Sequence, residues 1–225
     1  MRREKQLELG LPQRGGSRPG AGRKPKGARP LVSHKMRPRF AKATPVHVTL
    51  RVRNEVWNLR SSRSWRRLRG AFAASCGRFG MRLVQFSIQG NHVHLIVEAD
   101  CHESLSGGMQ GLCVRIAKAL NAMMRRRGRV FADHYFSRLL ETPTELVKTI
   151  RYVLANHSHH FGQAGIDPYS STALDRNERE VVLALPTGWL LRVGWRRARR
   201  RDLCSKTSAE TALGSTSAPP ARRLR

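Results

Sequence analysis

QGNHVHLIVEA, residues 89–99, decides the fold. From His92 onward it alternates: Val93, Leu95 and Val97 point one way, and His92, His94, Ile96 and Glu98 point the other. That is a strand whose apolar side faces a helical layer and whose other side carries two imidazoles. Gly90 and Asn91 precede it, a pair suited to a tight hairpin turn. Upstream, Val84, Phe86 and Ile88 alternate in the same way and supply the partner strand.

Nearer the N-terminus, Val46, Val48, Leu50 and Val52 alternate with His47, Thr49 and Arg51, which predicts a first half-buried strand. Trp65, Leu68, Phe72, Cys76 and Phe79 recur at helical spacing. Leu105, Met109, Leu112, Cys113, Ile116, Leu120 and Met124 mark a long amphipathic helix. The basic run Arg125–Arg127 and Gly128 suit its end. A fourth strand is expected within Val130–Leu140, and Pro143 and Thr144 open a last helix to about His157. The order predicts an α+β fold, a ferredoxin-like βαββαβ antiparallel sheet with an additional C-terminal helix. Because that fold hosts many functions, the site must decide.

Two imidazoles side by side on a strand suit one divalent ion, since neutral imidazole is a common transition-metal ligand. Alone, the pair fits solvated side chains as well. The last helix adds a second element. Leu146, Ile150, Val153 and Leu154 form its apolar stripe, and Tyr152 lies roughly opposite it. Asn156, one turn on, shares the face of Tyr152, and Glu145 lies near it. A phenol can attack phosphate covalently, and a metal that polarises the phosphate helps it. An exposed or tail-packed tyrosine is the bland alternative. Tyr135 lacks an amide one turn away and reads as a packing or base-stacking residue. Tyr169 lies in the loop-like DPYSS (167–171).

Composition points to the partner. Lys and Arg total 43 against 15 acidic residues, a formal charge of +28. The usual partner of such a chain is nucleic acid. No run of 18 or more apolar residues exists, and the basic N-terminus lacks the apolar stretch of a secretory signal. Cys76, Cys101, Cys113 and Cys204 form no CxxC pair and suggest neither a zinc ribbon nor a disulfide framework. A bacterial-type cytoplasmic, nucleoid-associated protein is expected. Residues 1–43 hold 13 Lys/Arg and two Glu and read as a flexible basic arm. The fold is expected in 44–170. Residues 171–225 are expected as a basic, partly disordered extension.

His92-Val93-His94 after Asn91, followed some 60 residues later by RYVLAN (151–156), resembles the HUH single-tyrosine transposases, in particular the REP-associated branch. The resemblance covers roughly 44–170 and includes RRRGRVF (125–131) and DPYSS. It implies a transposase or nickase that uses Mg²⁺ or Mn²⁺ and acts on single-stranded, hairpin-forming DNA, as a homodimer or a monomer. It implies Tyr152 as the nucleophile that becomes linked to a 5′ phosphate, and His92, His94 and Asn156 as the metal ligands. Arg125, Arg126, Arg127 and Arg129 are the expected DNA contacts, though such a run also reads as a solvated helix face. The chain departs from many relatives in reading Asn156-His157 rather than Asn-Pro. Two other readings stay open. One is a catalytically inactive nucleic-acid-binding protein of the same fold. The other is a metal hydrolase built on His157, His159 and His160.

Overall fold

A computed structural model of the chain describes residues 37–161 and 166–198; for residues 155–161 it describes the helix backbone alone. Four strands, β1 (Thr44–Arg51), β2 (Met81–Ile88), β3 (His92–Ala99) and β4 (Phe136–Leu139), form one antiparallel sheet in the order β2-β3-β1-β4. The helices α1 (Ser62–Ala73) and α2 (His102–Met123) provide the crossovers. The α+β, ferredoxin-like expectation therefore holds, and β3 sits inside the sheet, paired on both sides.

Local chemistry sets the boundaries. The hairpin turns at Gly90 and Asn91, closed by the Gln89 N–H donating to the His92 carbonyl at 2.8 Å. Ser61 caps α1 by accepting from the Ser64 N–H at 3.2 Å. The helical spacing read through Cys76 and Phe79 does not all form helix: α1 stops at Ala73. Gly77, Phe79 and Gly80 take φ of 65°, 58° and 69°, which no right-handed helix can accommodate. Gly80 has no substitute, since a Cβ there would lie 2.7 Å from Asp100 Oδ2 and 2.8 Å from Ser104 Oγ. Likewise α2 ends at Met123, before the arginine run, and Arg125 has φ 52°.

Val93, Leu95 and Val97 join Val46, Val48, Leu68, Phe72, Met109 and Leu112 in the main core, so the apolar side of β3 faces α1 and α2 as expected. The other side is partly covered by α3 (Pro143–Phe161). Leu146 and Val153 of α3 are fully buried against Ile96 and Leu140, with Leu190 and Leu191 completing this second core. Thr142 starts α3 by accepting from the Glu145 N–H at 3.2 Å, with proline in the first turn.

The folded chain continues past the boundary expected at residue 170. Ser171 bonds Phe86, Leu174 and Val182 enter the main core, and a helix α4 (Arg176–Val182) begins with an Asp175–Glu178 capping box. The basic composition belongs to the residues further on; 171–188 itself carries three acidic and two basic residues and the apolar run Val181–Leu185. Residues 1–36 and 199–225 lie outside the described residues, so most of the expected N-terminal arm and the end of the expected extension do too.

Glu98, on the histidine side of β3, is fully buried. It accepts from Arg82 Nε at 2.8 Å, from the Thr187 N–H and Oγ1 at 2.7 and 3.1 Å, and from the Gly188 N–H at 2.8 Å. Burial alone would raise its pKa; the donors of Thr187, Arg82 and Gly188 outweigh burial, and the net shift is downward. A carboxyl lowered below its unfolded value of about 4.3 stabilises the fold above that pH and loses this contribution as pH falls through the folded pKa. Glu98→Ala is expected to cost about 3 kcal/mol at pH 7. Urea unfolding checks this: the deficit relative to the parent protein shrinks below about pH 4. An equal deficit at both pH values would contradict it.

Candidate functional site

The register of β1 and β3 builds the site. Thr49 pairs with His94 and Arg51 with His92, so His47, Thr49, His92 and His94 share one side of the sheet. His92 is half-buried, and its Nδ1 lies 2.8 Å from Asn91 Oδ1. The amide oxygen can only accept, so Nδ1 carries the proton and Nε2 the lone pair. His94 is buried, with Nδ1 3.2 Å from Thr49 Oγ1 and 3.1 Å from His47 Nε2. When His94 donates through Nδ1, its Nε2 likewise carries the lone pair. The two rings stand edge to face with centroids 4.8 Å apart.

Tyr152 completes the cluster from α3. Its ring lies edge-on to His94 at 5.5 Å and to His47 at 6.3 Å, and the residue is 53% exposed. Val153, the next residue, is fully buried in the second core. One helical step thus separates a packing side chain from one that faces both the histidines and solvent. Asn156 follows Tyr152 by one turn of α3, but its side chain lies outside the described residues, as do those of His157, His159 and His160. Among the described residues, no three His, Cys, Asp or Glu side chains group as a metal site.

His47 was not foreseen. Its ring stacks on His94, with centroids 5.3 Å apart and planes 22° from parallel. Burial and the neighbouring Arg138 guanidinium lower its pKa to about 4, so it is neutral at pH 7. The signal that could have found it is parity: His47 and Thr49 alternate with the apolar residues of β1. Arg138 of β4 pairs with His47 across the sheet and bonds Glu145 at 2.6 Å.

The arginine run lies at the sheet end where Arg51 meets His92. The Val130 carbonyl accepts from the Arg53 N–H, and the Ala132 N–H donates to the Arg51 carbonyl. Arg125, Arg127 and Arg129 are exposed. Arg126 is half-buried and closes its loop by donating to the Arg129 carbonyl at 3.0 Å. Tyr135 is a packing residue: the Arg37 guanidinium covers its ring at 3.8 Å, and its half-buried ring packs against the main core. Tyr169 lies under Arg60 at 4.7 Å, in a loop tied to β2.

A family model described as "Transposase IS200 like" matches residues 41–156, just over half of the chain. The chain belongs to the IS200-like transposase family. It is thus a DNA-cutting enzyme of the HUH single-tyrosine group, whose members generally depend on a metal. The transposase is similar in fold to a solved REP-associated tyrosine transposase bound to a REP hairpin. The TM-score is 0.55 and the identity 14%, over 70% of this chain and 94% of that one. A chain from Deinococcus radiodurans R1, solved as a candidate transposase, is 13% identical over 51% of this chain and 91% of that one, with a TM-score of 0.39. No curated protein sequence matches the transposase. The match spans His47, His92, His94, Tyr152 and the arginine run, and it stops before the segment that holds Glu98.

Proposed function

We propose that this transposase cuts and rejoins single-stranded, hairpin-forming DNA through a covalent link to Tyr152, with Mg²⁺ or Mn²⁺ held by His92, His94 and Asn156. The observation that carries the reading is the exposed phenol set edge-on to a buried histidine whose Nδ1 is already engaged. The donor set fits such an ion. His92 turns Nδ1 toward Asn91, and His94 turns Nδ1 toward Thr49 and His47, so Nε2 of each ring would be the coordinating atom. Asn156, four residues after Tyr152 in α3, is of a type whose amide oxygen suits hard cations. When bound, the ion polarises the scissile phosphate and stabilises the developing charge.

The residues do the rest. The Tyr152 oxygen attacks phosphorus, the bond to the 3′ oxygen breaks, and the leaving strand takes a proton as a 3′ hydroxyl. A second 3′ hydroxyl reverses the step by attacking the phosphotyrosine, so no water is consumed. His47 and Thr49 hold the His94 ring in orientation. Arg125, Arg127 and Arg129 meet phosphates at the His92 end of the sheet, which makes binding fall with salt. The fold neighbour solved with a REP hairpin is the reason to begin with hairpin substrates.

The test mixes the protein with hairpin DNA and Mn²⁺ and looks for an adduct on a denaturing gel. The expected result is an adduct that chelation removes. His92→Ala and His94→Ala reduce its rate by about 100-fold or more and weaken Mn²⁺ binding in calorimetry. DNA binding without adduct across a broad hairpin panel would leave only a nucleic-acid-binding protein of this fold. Adduct formation that survives both substitutions would remove the histidines from the metal site.

A further inference from the structure

Strand β4 carries a feature that the histidines and Tyr152 leave unused. Its four residues alternate: Phe136 and Arg138 are exposed, while Ser137 and Leu139 turn inward. Phe136 is 48% exposed, a large apolar ring left in water on an edge strand of the sheet. A single exposed ring is ordinary. Its register is the second observation. Phe136 pairs with Thr49, the residue whose Oγ1 lies 3.2 Å from His94 Nδ1. Arg138 pairs with His47, which contacts the same nitrogen. Directly paired residues project from the same side of a sheet. Phe136, Arg138, Thr49, His47 and His94 therefore share one side, with Tyr152 over its centre.

We infer that Phe136 is a stacking platform for an unpaired base next to the scissile phosphate, with the exposed Arg138 guanidinium beside it for the backbone. This rests on the DNA-cleaving reading above and names the part of the substrate that the β4 side of the site recognises. Every unpaired base offers a π face to an aromatic ring, whereas duplex bases have theirs covered by their neighbours. A ring at this position selects strand state rather than sequence. It also supplies attraction where the sheet otherwise offers only phosphate contacts. Tyr135 cannot take this role, because its ring lies under Arg37 against the core.

Fluorescence anisotropy of the full chain tests the inference with two probes: a short single-stranded oligonucleotide, and a strand of equal length with abasic sites throughout. Phe136→Ala is expected to weaken binding of the first by about tenfold and to leave the second unchanged. Phe136→Trp is expected to restore binding, and its indole emission to be quenched by the base-bearing strand only. Because Phe136 is exposed, both variants are expected to fold, and their melting temperatures are compared with the parent. Parental affinity of Phe136→Ala, or equal losses on both strands, would overturn the platform. The two readings fail separately. If the parent forms no adduct yet Phe136→Ala shows the base-dependent loss, the platform stands and the cleavage chemistry falls. If the parent forms an adduct yet Phe136→Ala binds as the parent does, the chemistry stands and the platform falls.

Discussion

Tyr152→Phe is expected to leave no covalent protein–DNA adduct, a loss of at least about 10³-fold in strand cleavage, while hairpin binding stays within about twofold of the parent. The geometry separates the two effects. The ring, which lies edge-on to His94 and His47, is kept by phenylalanine. Only the hydroxyl goes, from a residue 53% exposed, so no buried donor loses a partner and stability changes by less than about 0.5 kcal/mol. Tyr135→Phe and Tyr169→Phe are the matching controls. Tyr135 is spent on the Arg37 contact and Tyr169 on the Arg60 contact, so both variants form adduct at the parental rate. An adduct that persists in Tyr152→Phe and disappears in Tyr135→Phe would reassign the nucleophile.

The second large effect is on stability. Asp167 is buried and holds Arg60 through two bonds, at 2.7 and 3.0 Å, with side-chain exposures of 2% and 9%. The same carboxylate accepts from the Tyr169 N–H at 3.0 Å, and Arg60 also donates to the Ile88 carbonyl at 2.8 Å. Ile88 in turn donates to the Tyr169 carbonyl, and Ser171 donates to Phe86. These bonds lay DPYSS along the outer strand β2, satisfying an edge that would otherwise be open. Asp167→Ala leaves a buried guanidinium without its carboxylate and is expected to cost about 3–5 kcal/mol. In a domain of this size that lowers the melting temperature by roughly 6–20 °C. Thermal unfolding followed by circular dichroism measures it, and a shift of a degree or two would refute the anchoring role. The full chain of Asp167→Ala, assayed well below its melting point, is expected still to form adduct, because the bonds of Asp167 go to Arg60 and Tyr169 and not to Tyr152, His47 or His94.

What could be read in advance follows a physical division. The side of β3 that carries His92 and His94 is visible because alternation is local, and the placement of Tyr152 away from Val153 is visible because 100° per residue is local. His47 obeys the same alternation, yet its meeting with His94 depends on which strands pair and in what register, a non-local property. Phe136 was hidden for the same reason, and Tyr135, one residue away on the opposite side, drew attention as a base-stacking candidate. The overextension of α1 has a different cause. Helical spacing through Phe79 cannot reveal that Gly77, Phe79 and Gly80 all adopt left-handed backbone. On sequence the segment from Leu174 to Gly188 is grouped with the basic tail that follows it, although it carries three acidic and two basic residues and the apolar run Val181–Leu185. Its contribution includes the apolar contacts of Leu174 and Val182, the Ala184 N–H donating to the Leu83 carbonyl, the Arg69–Glu178 ion pair and three hydrogen bonds to the Glu98 carboxylate.

That carboxylate has a consequence for the gene. Glu98 lies on the same strand as His92 and His94, and its backbone N–H donors, Thr187 and Gly188, come from near the far end of the described chain. A frameshift or stop codon between Leu174 and Thr187 would spare every residue placed at the reaction centre. It would nonetheless strand a charge in the middle of the sheet with Arg82 as its remaining partner. Decay of this reading frame from its 3′ side would therefore remove the protein by misfolding and turnover while the residues proposed for catalysis were still encoded.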